Sequence, residues 1–217
     1  MSDKPTIRVE ATGTASAPPD IARIRLFTFA EDPAPGDALT SCSLLTDRVL
    51  AALRDAGIAS ADLETTSIDL SQQHRREAEA SVQNYRASSS LVATVRPPAD
   101  AGRIIAAAVD AAGTGVGIND VSFDIDDRAP LTSLARRDAV ARAVSAAHEL
   151  ADAAGLALGP LLELVEGAGT QPHFRRSRLM SGAAPAPRPM PPPVELGELS
   201  MAVTVSAVFE VAPGATG

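Results

Sequence analysis

The sequence has no tryptophan, one tyrosine, one cysteine and three histidines in 217 residues, and aromatics make up only 3%. A single cysteine excludes an intramolecular disulfide framework and a four-cysteine zinc site. His74, His148 and His173 lie far apart, with no second His or Cys at metal-ligand spacing, so no metal or other cofactor is expected. Positive charge is also scarce, with 19 Lys and Arg against 27 Asp and Glu and a net charge of -8. That balance argues against a nucleic-acid partner, whose affinity comes mainly from cations neutralising phosphates. The longest apolar stretch, Ile104 to Val109, falls far short of the roughly 20 residues of a membrane-spanning helix. Nor does the N-terminus carry the apolar core of about 7–15 residues of a secretory signal. No integral membrane segment is therefore expected, and the reading is cytoplasmic, with the periplasm as the alternative for a chain cut from a longer precursor.

The hydrophobic fraction is 45%, but 42 residues are alanine, which buries little area. Packing should rest on Ile, Leu and Val, with helices lying close on sheets through small alanine faces. Thr6 to Gly13 alternates as a half-buried strand, and Ile21 to Phe29 alternates after the Pro18-Pro19-Asp20 turn. These two are expected to pair as antiparallel neighbours. Leu39, Cys42, Leu45, Val49, Leu53 and Ala56 recur at helical spacing, and Gly57 stops that helix. Leu63 to Leu70 and Tyr85 to Val95 read as a hairpin, with the polar stretch His74 to Asn84 as its loop. A second helix spans about Ala99 to Ala112, followed by a strand through Val121, Phe123 and Ile125. Pro130 opens a third helix, with Leu134, Val140, Ala143, Val144, Ala147, Leu150, Ala151 and Ala154 on one face. Strands Leu161 to Val165 and Leu199 to Val211 complete the chain. The fold class is α+β, with antiparallel sheets packed against three main helices.

A helix–glycine–strand pattern occurs at Gly57, Gly113 and Gly155. It fits either a generic join or two related α/β halves. The whole chain, 1–217, is read as one domain. Within it, 167–193 holds seven prolines and four arginines and reads as a flexible, locally basic insertion, and 213–217 should fray.

No catalytic motif emerges. The Gly113-Thr114-Gly115-Val116-Gly117 run follows a helix and leads into a strand, the reverse of a phosphate-binding loop. Cys42 sits on an apolar stripe as a small hydrophobe. Ser88, Ser89 and Ser90 lack a nucleophile elbow and read as polar strand positions. Asp124, Asp126 and Asp127 lack the calcium-loop spacing and suit the first turn of the following helix. Arg175, Arg176, Arg178 and Arg188 form the one basic concentration and are the candidate partner-binding residues, whether as a solvated loop or as a docking segment for an acidic partner.

Several ordered strings carry a resemblance. They are Val9-Glu10-Ala11-Thr12-Gly13 with Pro19-Asp20-Ile21-Ala22, Leu53 to Ile58 with Asp62 to Thr66, Asn84-Tyr85-Arg86-Ala87, Ala135 to Ala143, Leu150 to Gly155 with Leu158-Gly159, and Gly197-Glu198-Leu199 before the last strand. Across nearly the whole chain they resemble the SIMPL-domain family, which includes bacterial periplasmic immunogenic proteins and an animal kinase-associated protein. The resemblance implies an α+β fold, higher oligomers in some bacterial members, a stress-protective role in some, and no catalytic residues. Members often begin with an export signal, which is not seen here, and their usual Pro-Gly before the last strand is Leu196-Gly197 here.

The function expected is that of a non-enzymatic, self-associating scaffold that pairs edge strands and apolar helix faces. On that reading Leu150→Asp should disrupt folding or assembly. The alternatives are a monomeric adaptor that binds a protein through 169–190, and a small-ligand protein with a cleft between the two halves.

Overall fold

The computed structural model describes residues 5–77, 80–167 and 197–214. The element order is β1 (Thr6–Ala17), β2 (Ile21–Asp32), α1 (Pro35–Asp55), β3 (Leu63–Glu77), β4 (Ala80–Val95), α2 (Ala101–Ala112), β5 (Val116–Asp124), α3 (Ala129–Ala153), β6 (Leu156–Glu166) and β7 (Leu199–Pro213). The fold is α+β: three helices with two antiparallel sheets. The chain divides into two compact units. One holds β1, α3, β6 and β7; the other holds β2, α1, β3, β4, α2 and β5.

In the first unit the sheet order is β1-β7-β6, with β7 in the centre. Alternation along β7 buries Met201, Val203, Val205, Ala207 and Phe209, and β1 adds Val9. Helix α3 meets this surface with alanine. Its buried stripe is Leu131, Ala135, Ala139, Ala143, Ala147 and Ala151, spaced by four throughout. Small side chains let the helix backbone come close, so the large apolar groups come almost wholly from the sheet. The approach is closest at Gly13, where a β-carbon would stand 2.7 Å from Ala139 Cα and still closer to the Ala139 amide nitrogen.

The second unit has the order β3-β4-β2-β5. Ile24 and Leu26 of β2 and Leu91 of β4 pack on Val49 and Leu53 of α1 and Ile104 of α2. Helix α1 starts at Pro35, where the missing N–H costs nothing, and the Ala34 amide donates to Asp32 Oδ1 at 2.8 Å. All three helices end before a glycine with positive φ: Gly57 at 96°, Gly113 at 55° and Gly155 at 68°. In that conformation glycine has no steric penalty, which is why these residues stop the helices.

Four expectations change. β1 and β2 do not pair; β1 pairs with β7 along its full length, and β2 lies between β4 and β5. Alternation identifies a strand and its faces but carries no address for its partner. Residues 74–77 and 80–84 of the expected loop are strand: β3 and β4 keep their backbone pairing from His74 opposite Gln83 to Glu77 opposite Ala80. A register already fixed by the apolar part of a hairpin is extended by polar residues too. The α3 face is rotated from the one expected. Leu134 and Leu150 are half-exposed, and Val144 is exposed as well. On α1, Ala38 and Thr46 are buried, whereas Leu39 is exposed.

Candidate interaction surface

Strand β6 is an edge of the three-stranded sheet, and its outer backbone edge has no strand partner among the described residues. Helix α3 lies mainly over β1 and β7 and reaches β6 least. The strand therefore carries apolar side chains that the described residues cover only by about half. Leu161, Leu162, Leu164 and Val165 are each between 45% and 52% exposed. Leu161 pairs with Phe209 and Leu164 with Ala207, which places both on the face that α3 packs against. Val165 pairs with Ser206, on the opposite face.

Two features limit this edge. Pro160 has no N–H to offer, as suits an edge strand, and the ladder with β7 shifts register on either side of Leu161. The segment from Leu161 to Val165 is left as the accessible part. One ion pair lies within it and one at its end. Arg136 Nε of α3 donates to Glu166 Oε2 at 2.7 Å, and Arg8 of β1 lies 3.6 Å from Glu163. The Arg136 hydrogen bonds hold the Glu166 carboxyl below its ordinary pKa, and Glu166 raises that of Arg136. On the other side of α3, Asp138 Oδ2 accepts from the Thr14 amide at 2.8 Å and from Arg142 Nε at 2.8 Å. The amide, and then the guanidinium, lower the Asp138 pKa.

The candidates from sequence fall elsewhere. Arg175, Arg176, Arg178 and Arg188 lie outside the described residues, as does His173. His148 is exposed on α3. Cys42 is 3% exposed, with its thiol near Thr28 Oγ1 and the Thr28 carbonyl, in the manner of a core residue. Gly113 to Gly115 form a short turn between α2 and β5. Asp127 Oδ1 accepts from the Ala129 amide at the start of α3, whereas Asp126 pairs with Arg96 at 2.7 Å. Arg96 also reaches Asp62 at 2.6 Å, and these two bonds raise its pKa. Among the described residues no group of three His, Cys, Asp or Glu side chains gathers to hold a metal ion, and no helix is long and apolar enough to cross a membrane. Sequence reasoning found β6 as a strand but missed its edge position. The available signal was Pro160 followed by Leu161, Leu162, Leu164 and Val165, an apolar run on both faces of a strand with a proline inside it.

The profile of the SIMPL family, described as proteins of unknown function (DUF541), matches residues 7–209. The chain belongs to the SIMPL family. It is 32% identical over 225 aligned positions to the 26 kDa periplasmic immunogenic protein of Brucella abortus (strain S19), covering 97% of this chain and 87% of that one. Its identity to the protein of the same name from Brucella melitensis biotype 1 (strain ATCC 23456) is 31%, with the same coverage. The resemblance seen in the sequence thus holds over nearly its whole length. Both relatives are named as periplasmic, which weighs against the cytoplasmic expectation.

Proposed function

We propose that this SIMPL-family protein is a non-catalytic, self-associating scaffold of the periplasm. The observation that carries the reading is β6: a strand edge unpaired among the described residues, whose Leu161, Leu162, Leu164 and Val165 are about half-exposed. Exposed apolar edge strands template pairing with another chain, and proteins that do not use them cover or charge them. A second copy offering the same edge buries these four side chains and completes both backbone ladders in one step. Two-fold pairing of this kind is self-complementary, so one surface suffices. Assembly beyond a dimer then needs a second contact, for which the half-exposed Leu134 and Leu150 of α3 are apolar candidates in the same unit.

Periplasmic residence rests on the names of the two relatives, and absence of catalysis on the chemistry present. Cys42 is buried against threonine oxygens, and His148 stands on an exposed helix face. Sedimentation velocity over a hundredfold range of concentration tests self-association, with species heavier than the 22.2 kDa chain as the expected result. One sedimenting species of chain mass throughout would overturn it. Fractionation of the native host tests residence, with recovery in the osmotic-shock fluid expected.

A further inference from the structure

In the four-stranded unit, one row of side chains runs across the sheet: Thr28 on β2, Ser89 opposite it on β4, and Ile68 opposite Ser89 on edge strand β3. Helix α1 covers one end of this row and leaves the other open. At the covered end Thr28 Oγ1 and Thr46 Oγ1 of α1 are 2.6 Å apart, and Thr46 also donates to the Cys42 carbonyl. At the open end Ile68 is 71% exposed, although it is a large aliphatic side chain. Between them a cleft of about 200 Å³ opens, walled by Leu39 and Leu50 of α1 and by Ile68. Ser89 lines it at the inner side. This serine is 4% exposed, and its hydroxyl has no hydrogen-bond partner among the described residues. Buried hydroxyls are nearly always satisfied, so an orphan at the inner wall of a cleft marks a position for an external polar atom.

We propose that this cleft is a binding site for a compact, uncharged, largely apolar molecule carrying one hydroxyl or carbonyl. The apolar part would cover Leu39, Leu50 and Ile68, and the polar atom would satisfy Ser89. Size follows from the volume. A dry cavity of about 150 Å³ accepts benzene, so this cleft suits a single ring or a branched chain of similar bulk. Charge follows from the lining. Its one charged side chain is Asp47, and no cation stands among the described lining residues, so a carboxylate is repelled.

The test is titration of the full-length ¹⁵N-labelled chain with phenol, benzene and benzoate, followed by amide shifts. Phenol is expected to give saturable shifts confined to α1 around residues 39–50 and to the facing parts of β3 and β4. Benzene, with no polar atom, should bind about tenfold more weakly, the worth of one hydrogen bond. Benzoate should not bind. Ser89→Ala should reduce phenol affinity to that of benzene without changing benzene. Ser43→Trp, at an exposed α1 position on the cleft, should abolish both while the rest of the spectrum stays native. Absence of saturable phenol binding to the wild-type chain would overturn the proposal. So would phenol binding that neither variant alters.

Discussion

Gly13 of β1 lies directly beneath Ala139 of α3, so close that a β-carbon at Gly13 would enter the helix backbone. The contact is between backbones, and the small residues on both sides permit it. Gly13→Val should therefore destabilise the protein by about 3 kcal/mol or more, the upper range for overpacking. Urea unfolding measures this. Ala139→Gly should not rescue it, because the obstructing atoms are backbone atoms. Gly36→Ala, at the start of α1 with nothing within 4 Å, is the contrasting case and should stabilise by a few tenths of a kcal/mol up to about 1.

The position of the α3 stripe separates two substitutions that look alike in sequence. Leu150 is half-exposed, so Leu150→Asp should change folding stability by no more than about 0.5 kcal/mol. Ala143 is 1% exposed on the sheet-facing stripe. Ala143→Leu should cost about 1–3 kcal/mol, because the larger side chain must strain its rotamer or lift α3 off β7. A reversed order in chemical denaturation would mean that α3 packs through its leucines.

Asp138 and Glu166 give the first unit an acid-sensitive component. Both carboxyls have folded-state pKa values lowered by their partners, the Thr14 amide and Arg142 for Asp138, and Arg136 for Glu166. Unfolded values are about 3.9 and 4.3. The stabilisation is therefore present above those values and is lost as pH falls through the lower folded-state ones. Asp138→Asn keeps an acceptor for Thr14 and removes the charge. It should flatten the acid side of a plot of urea midpoint against pH and leave the neutral-to-alkaline side level.

Ser89→Ala removes a buried hydroxyl that has no partner among the described residues. Differential scanning calorimetry should show a variant more stable by about 1 kcal/mol, since the desolvation penalty of the hydroxyl disappears. A clear loss of stability would mean that the hydroxyl is satisfied internally. The residue trades stability for a binding capability on the first outcome and is purely structural on the second.

Period and punctuation made the elements legible. Alternation marked β1, β2 and β7, spacing of three and four marked the helices, and Gly57, Gly113 and Gly155 stopped them as their positive φ angles require. Pairing was not legible. β1 finds its partner in β7, with Thr6 opposite Glu210 at the far end of the chain, and no local pattern records that choice. The face of α3 was obscured by composition. Leucine and valine positions suggested one stripe, but the sheet already supplies Val203, Val205 and Phe209, and the helix fits by offering alanine. The candidate surface has the same origin. That Leu161 to Val165 forms a strand is local information; that it is an uncovered edge depends on β7 taking the centre of the sheet.

The most direct test of self-association through β6 is absolute mass by light scattering on a sizing column, comparing the wild-type chain with Leu162→Lys/Leu164→Lys. Both side chains are about half-exposed, so the fold should tolerate the change. The account predicts a wild-type mass that is a multiple of 22.2 kDa and a double variant at chain mass with an unchanged melting profile. A wild-type chain that stays monomeric at every concentration, or a double variant that assembles as the wild type does, would contradict it.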